Sequence, residues 1–218
     1  MSDLQFVQYV FMRLDPVYHN LESNERIVAK QAFLGTWESF QSRALLVSWA
    51  LTGLRADCDV LCLRAAHSLE LLQDITCRLQ SSGLGRFLVP AYSFLARATG
   101  PRYGARPVGG DFIPGQGRYL FFSAWSRGPE WRALSAAERT KAEADVEQAA
   151  KRHNVRLHPG LRGLDEAEDL TAAEVDTSED YLAFADELKA LRAQTHAPAG
   201  PAFVAVSKDI RDQADALG

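Results

Sequence analysis

One order of apolar patterns occurs twice in this chain, on either side of a segment rich in Gly and Pro. Each copy alternates short β-branched and aromatic runs with longer stretches of helical periodicity, in the order strand–helix–strand–strand–helix–strand. That order is the ferredoxin-like unit, in which helices cover one face of an antiparallel sheet. Two copies predict an α+β fold of two fused ferredoxin-like halves, with antiparallel sheets packed together and helices outside, as in dimeric α/β-barrel proteins.

The chain divides accordingly into three segments. Residues 1–98 form the N-terminal half, residues 99–117 the connecting loop, and residues 118–218 the C-terminal half, which we expect to bind a cofactor. Strands are predicted at residues 6–14, 44–54, 57–66, 87–98, 118–125 and 202–206, with a two-stranded hairpin at 155–177; helices are predicted at residues 22–40, 68–81, 135–154 and 178–194.

The central helix of the second half carries a clear start signal. Ser135 stands three residues before Glu138, the spacing of a capping box, in which each residue bonds a free backbone N–H of the first turn. The apolar side of this helix is mostly alanine, with Ala142 and Ala149 beside Val146. Small side chains permit the close approach either of a flat molecule or of a sheet, and the sequence leaves both open.

Charge and composition exclude several classes of function. The net charge is −4, which does not suggest nucleic acid or an anionic membrane as a partner. No apolar run approaches the roughly 18–20 residues of a membrane span, and the first residues lack the pattern of a signal peptide, so a cytoplasmic protein is expected. Three cysteines are too few for a disulfide scaffold. Nucleotide-binding, α/β-hydrolase and zincin motifs do not occur.

Several stretches resemble one known family. FMRLDP, TGLRADCDVLCLRAAHSLELLQ and LQSSGLGRFLVPAYSFLARATGPRY in the first half, and RYLFFSAWSRGPEWRALSAAER and DLTAAEVDTSEDYLAFADELKAL in the second, are similar to the chlorite dismutase family, which includes the coprohaem decarboxylases. The resemblance implies two ferredoxin-like halves, haem b or coprohaem in the second half, and an oxidoreductase acting on peroxide or another small oxidant. It also implies a homo-oligomer, a dimer or pentamer, with a small-molecule substrate.

The resemblance also assigns site residues. The family places a histidine ligand to iron on the helix that follows the Glu138-Arg139 pair, but residues 143–149 contain no histidine. His153 is therefore the candidate iron ligand, or else a polar residue at the helix end. Glu174 is expected to hydrogen-bond the ligand, and Arg156 to hold an anionic oxidant over the iron. These two are the catalytic candidates, and Arg127 and Trp131 the further cofactor-binding candidates.

Two other functions stay open. Ser123 stands where the decarboxylases carry a tyrosine, so coprohaem decarboxylation is not expected. The first is a haem-less enzyme of the same fold that acts in a biosynthetic pathway. It would use either no cofactor or a copper or iron ion, which His153 and His158 would hold with Glu174 nearby. A third interpretation is a non-catalytic protein that binds a tetrapyrrole or another small molecule. His196 lies in a tail rich in Pro and Ala and is expected to be solvated.

Overall fold

The computed structural model describes residues 5–105 and 110–218. The first half contains β1 (Gln5–Leu14), α1 (Ser23–Phe40), β2 (Leu45–Ala50), β3 (Val60–Ala66), α2 (Leu69–Ser81) and β4 (Leu88–Ala98). The second half contains β5 (Tyr119–Arg127), α3 (Pro129–Ala133), α4 (Ala136–Arg152), β6 (Arg156–Leu157), β7 (Leu161–Gly163), β8 (Asp169–Val175), α5 (Ser178–Arg192), β9 (His196–Pro198), β10 (Phe203–Ser207) and α6 (Ile210–Ala216).

The predicted fold class is confirmed, and the differences are local. The first strand of the predicted hairpin is split into β6 and β7, because Pro159 has no N–H to donate and Gly160 adopts a positive φ of 60°. The predicted strand at 44–54 ends at Ala50, before a turn at Gly53 with φ 79°. The short elements α3, β9 and α6 were not predicted from the sequence. Residues 106–109 of the predicted connecting loop lie outside the described residues.

The strand pairings close the sheet into a barrel. In the first half the strand order is β4-β1-β3-β2, entirely antiparallel. Strand β2 pairs with β10, which pairs in turn with β5. On the other side of the sheet, β4 pairs with β7. Strand β8 joins the two ends, since it pairs with β5 along its whole length and with β6 and β7 on its other edge. The C-terminal half of the barrel therefore depends on β8.

Three apolar clusters follow from this closure. Inside the barrel, aromatic side chains such as Tyr9, Phe11 and Phe122 fill the space between the strands. A second cluster packs α1 and α2 on the outer face of the first half. The third cluster, under α4 and α5, combines small residues such as Ala149 and Ala173 with large ones such as Phe184. Strands covered on both faces are buried throughout, as β3 and β8 are.

Local signals set the helix starts. The Ser135 hydroxyl accepts from the Glu138 N–H, and the Glu138 carboxylate accepts from the Ser135 N–H, so the predicted capping box is formed at α4. The hydroxyl of Thr177 caps α5 in a similar way, by accepting from the Asp180 N–H. Among the helices of the described ranges, none combines the length and the apolar character needed to cross a bilayer.

Gly163, at the end of β7, gives a test of this closure. A Cβ at this position would collide with the backbone carbonyl of Ala167. Because the clash is with backbone, it cannot be relieved by moving a side chain. We expect Gly163→Ala to lower the free energy of unfolding by at least about 2 kcal/mol in urea titrations.

Gly35→Ala is the matched control, because nothing lies within 4 Å of a Cβ added there, in α1. It should raise the free energy of unfolding by about 0.5 to 1 kcal/mol, through the better helix propensity of Ala. Equal stability of Gly163→Ala and the natural protein would mean that this close approach does not exist in solution.

Candidate functional site

A cleft of about 660 Å3 lies between α4, the end of α5 and the outer face of β6, β7 and β8. We call it the α4 cleft. Its apolar lining comes from Ala142, Val146 and Ala150 on α4, and from Val155 and Leu157 in the segment that follows the helix. The alanine side predicted from the sequence is divided, since Ala149 and Ala150 pack against the sheet while Ala142 borders the cleft. A cleft of this size suits an organic ligand.

One carboxylate organises the polar wall of the cleft. Asp169, at the start of β8, accepts from Arg127 Nε at 2.7 Å and Nη2 at 2.8 Å, a bidentate pair. It also accepts from Arg162 Nη1 at 2.6 Å and from His196 Nε2 at 3.2 Å. Burial by itself would raise the pKa of Asp169, but the hydrogen bonds from His196 and Arg127 and the charge of Arg127 outweigh it and hold that pKa well below its usual range. Asp169 is therefore a fixed negative charge.

Arg162 connects this wall to the helix opposite. Its guanidinium pairs with Asp169 on β8 and also with Glu143 on α4. Burial acts to lower the pKa of Arg162, and hydrogen bonds to Glu143 and Asp169 overcome this and raise it. The arginine thus spans from the sheet to the helix and sets the distance between them at this end of the cleft.

Arg192, at the end of α5, is a partly buried cation without an acidic partner in the described residues. One of its nitrogens donates to the Thr171 hydroxyl at 2.9 Å, and its guanidinium carbon lies 5.0 Å from the centre of the Trp125 ring. In residues 5–105 and 110–218 no carboxylate lies within ion-pair distance of Arg192. Burial lowers the pKa of Arg192 to about 10. The nearby Asp169 acts to raise this pKa, and the charges of Arg162 and Arg127 act to lower it. The guanidinium still carries its charge at neutral pH.

The cations and carboxylates that line the cleft are equal in number. Lys151, Arg162 and Arg192 bring three positive charges, and Glu143, Glu147 and Asp169 bring three negative ones. Arg162 is engaged by Glu143 and Asp169, whereas Arg192 is a partly buried cation with no carboxylate within ion-pair distance in the described residues. Because its position limits screening by water, Arg192 suits a carboxylate or a similar anion.

His196 is buried at this wall, so the prediction that it would be solvated is wrong. Its side chain is 5 % exposed. The ring bonds Asp169 through Nε2 and the Thr195 hydroxyl through Nδ1, at 2.8 Å for the latter. Trp131, from α3, packs against the ring with 4.8 Å between centroids. Pairing of β9 with β5 brings the tail back onto the barrel and buries the histidine.

A second polar network lies inside the barrel, on the opposite face of β8. The Glu174 carboxylate accepts from the backbone N–H groups of Gly115, Gln116 and Gly117 at 2.6–2.9 Å. It also accepts from His158 Nε2 at 2.8 Å, and its side chain is fully buried. Burial acts to raise the pKa of Glu174, but the bond from His158 outweighs it and the pKa is lowered. The ionised carboxylate fastens the segment before β5 to the barrel.

Tyr9 completes this network. Its hydroxyl lies 2.6 Å from His158 Nδ1. Burial raises the pKa of Tyr9 well above its usual value, so the phenol keeps its proton and donates it to Nδ1. His158 then carries its own proton on Nε2, facing Glu174, and both ring nitrogens are occupied. Arg156 adds a longer bond to Glu174, at 3.3 Å, and donates to the Ile113 carbonyl at 3.0 Å.

The residues chosen from the sequence fall in three places. Arg156, His158 and Glu174 meet at the barrel network, as the hairpin pairing of Arg156 with Glu174 requires. Trp131 lines the α4 cleft, and Arg127 reaches its wall through Asp169.

His153 lies at the C-terminal end of α4, where its Nε2 pairs with Glu187 at 2.9 Å, and it does not line the cleft. Residues 143 and 146 of the expected ligand window do line it, as Glu143 and Val146. No three His, Cys, Asp or Glu side chains of the described ranges are arranged to hold a metal ion.

Sequence reasoning missed four residues of the cleft wall: Asp169, Arg162, Arg192 and His196. The available signal was an acidic residue opening an otherwise apolar strand, Asp169 before LTAAEV. Its partners lie 42, 7 and 27 residues away along the chain, so no local spacing marks them.

Comparison with known proteins identifies the family. The family model described as chlorite dismutase matches residues 24–206. A chlorite dismutase variant from Candidatus Nitrospira defluvii is similar in structure, with 18% identity and a TM-score of 0.84, covering 100% of this chain and 96% of that one. The same enzyme in complex with imidazole has 19% identity and a TM-score of 0.84, covering 99% and 95%.

A protein described as a novel haem-binding protein from Thermus thermophilus has 19% identity and a TM-score of 0.78, covering 98% of this chain and 94% of that one. No curated protein matches the chain. At these identities the solved structures establish the fold, and the cleft has to be judged on its own residues.

The low pKa values of Asp169 and Glu174 predict acid sensitivity. A carboxylate whose pKa is depressed on folding contributes stability above its unfolded pKa, about 4, and loses that contribution as the pH falls further. We expect the free energy of unfolding to decrease from about pH 5 downward, and Asp169→Asn to show a shallower decrease.

At neutral pH, Asp169→Asn should cost about 2 to 4 kcal/mol, because two arginines lose their carboxylate. Asp186→Asn, at an exposed position of α5, is the control and should follow the natural protein. Parallel acid profiles for Asp169→Asn and the natural protein would contradict the depressed pKa.

The barrel network predicts a cost for removing one hydroxyl. Tyr9→Phe leaves His158 Nδ1 buried without a donor, and should lower the free energy of unfolding by about 1 to 3 kcal/mol. Tyr181→Phe is the control, since that ring stacks on Phe121 and its hydroxyl makes no hydrogen bond within the described residues. Chemical denaturation measures both, and an equal effect of the two would refute the Tyr9–His158 bond.

Proposed function

This chain belongs to the chlorite dismutase family, and from that premise we propose that its α4 cleft binds a carboxylated tetrapyrrole, such as haem b, coprohaem or an iron-free relative. The main support for this is Arg192, a partly buried guanidinium with no acidic partner in the described chain. A ligand carboxylate beside Arg192 would supply the missing negative charge.

The walls of the cleft support a flat, largely apolar ligand body. Ala142 and Val146 on α4 and Leu157 on β6 give the cleft apolar surface. Burial of an apolar ring system against this surface stabilises a complex by about 25 cal/mol for each Å2 removed from water. The carboxylates would fix the orientation, while the walls supply most of the contact area.

The residues present do not offer a histidine to haem iron. Val146 and Glu143 occupy the window on α4 where the family places its ligand. His153 is engaged by Glu187 outside the cleft. Two histidines border the cleft, and both ring nitrogens of each are engaged, in His196 by Asp169 and Thr195 and in His158 by Glu174 and Tyr9. We infer that the tetrapyrrole is held by its carboxylates and its apolar body, without a histidine on the metal.

The more specific predictions are proposals as well. Oxidoreductase activity toward peroxide or another small oxidant follows from family membership as an expectation, and so does a homo-oligomer. Arg156 and Glu174, as catalytic residues, would have to act from the barrel network, since neither lines the α4 cleft. A copper or iron ion on His153 and His158 has less support, because each histidine is bound to a different carboxylate.

Titration with two porphyrins tests the proposal. Coprohaem and iron-free coproporphyrin III are added separately, and binding is followed by their absorption and by quenching of tryptophan fluorescence, since Trp125 and Trp131 lie at the cleft wall. Both should bind with similar affinity. Arg192→Gln should weaken both by about tenfold to a hundredfold, the loss of one charge-assisted hydrogen bond.

Lys189→Ala, an exposed cation on the same helix, is the matched control and should leave binding unchanged. Arg192→Gln should also leave the ligand-free protein as stable as before, because the charge that it removes has no carboxylate partner in the described residues. Binding of coprohaem alone, abolished by His153→Ala, would overturn the proposal in favour of haem ligated by that histidine.

A further inference from the structure

Three side chains at the cleft wall form a hydrogen-bonded line with a defined proton order. Asp169 is ionised and accepts from His196 Nε2, so Nε2 carries a proton. The other nitrogen, Nδ1, lies 2.8 Å from the Thr195 hydroxyl. With a neutral ring the hydroxyl donates to Nδ1, and with a charged ring Nδ1 donates to the hydroxyl. The two states differ by one proton, which the ring gains or loses while the hydroxyl changes from donor to acceptor.

The line ends at the ligand space. Thr195 and His196 both line the α4 cleft, together with Arg192, which precedes Thr195 by three residues. The opposite end is closed, because the Asp169 carboxylate is saturated by Arg127, Arg162 and His196. Trp131 packs on the imidazole and holds its plane. Protons can thus enter or leave this line only on the side of the cleft.

We propose that Thr195, His196 and Asp169 are an acid–base relay for the carboxylated molecule bound in the α4 cleft. The inference rests on the proposed function for its ligand class. In the basic direction, Thr195 Oγ1 takes a proton from an O–H or N–H group of the ligand while its own proton passes to His196 Nδ1. The ligand is left as its conjugate base and the ring as an imidazolium facing Asp169. The acidic direction reverses each transfer, so that no oxidant or further reactant is needed.

Charged groups from several elements surround the His196 ring. The ring faces Asp169 from β8, and beyond it stand Arg127 from β5, Arg162 from β7 and Arg192 from α5. Glu143 from α4 is reached through Arg162. In the empty cleft the arginines oppose a positive charge on His196. A ligand carboxylate on Arg192 cancels one of them, so binding favours the imidazolium and should draw a proton from solution.

Calorimetry at neutral pH measures that proton. Coproporphyrin III is titrated into the protein in buffers of different ionisation enthalpy, whose comparison gives the number of protons exchanged per ligand. We expect an uptake of about half to one proton, the proton that converts the neutral ring to the imidazolium. His196→Gln should abolish the uptake per ligand bound. His19→Gln, an exposed histidine outside the cleft, should retain the full uptake.

Thr195→Val tests the exit of the relay, because it keeps the shape of threonine and removes the hydroxyl. With this change the bound protein should still take up its proton, but exchange of the Nδ1 proton with solvent, followed by NMR on 15N-labelled histidine, should change at least tenfold. Thr195→Ser should restore the natural rate. No proton uptake in the natural protein, or equal uptake in His196→Gln, overturns the relay.

NMR of the ligand-free protein separates this inference from the proposed function. The His196 ring should hold the Nε2–H tautomer, and Asp169→Asn should remove that preference. If coproporphyrin III fails to bind, the proposed function falls, and the tautomer alone decides whether the line of three side chains is ordered as described. A mixed tautomer in the natural protein rejects the relay whether or not the porphyrin binds.

Discussion

The Asp169 carboxylate is the interaction on which the second half of the molecule depends. It stands at the start of β8, the strand that closes the barrel, and binds side chains from β5, β7 and β9. A single buried charge could not remain ionised there without these donors, because desolvation would favour the neutral acid. Its partners are in turn fixed by it. The same contacts place Arg162 against α4 and bury His196, so closure of the barrel and construction of the cleft wall are one event.

Strand β8 separates two polar networks by the alternation of its side chains. Glu174 points into the barrel with Ala172, whereas Asp169 and Thr171 point outward, toward α4 and α5. Glu174 serves the segment before β5 and the first half, through His158 and Tyr9. Asp169 serves the cleft. Two carboxylates only five residues apart thus hold different parts of the chain, and exchanging their roles would require a shift of one residue in register.

The fold itself could be predicted to a large extent from the chain. Periodicity and helix-end signals are local in sequence. We could therefore predict the capping box of Ser135 and Glu138 and the repeated order of strands and helices. The alanine side of α4 could be predicted too, and the structure gives it two surroundings: Ala149 and Ala150 are buried against the sheet, whereas Ala142 borders the cleft. The short elements were not readable: β9 has only three residues, too few for a pattern, and forms because β5 offers it an edge.

The sequence by itself determined the fold class and the family, and the predicted hairpin indicated that His158 could lie near Glu174, to which its ring is bonded. It also showed that no histidine stands in the expected window of α4. Only the tertiary structure decided which polar residues face the cleft. Arg127, Arg192 and His196 come from separate elements, and the local sequence around each gives no sign that it belongs to a site. What makes them a site is the shared burial around Asp169, and the electrostatic energy of a buried charge depends on distances across the fold that no local pattern records.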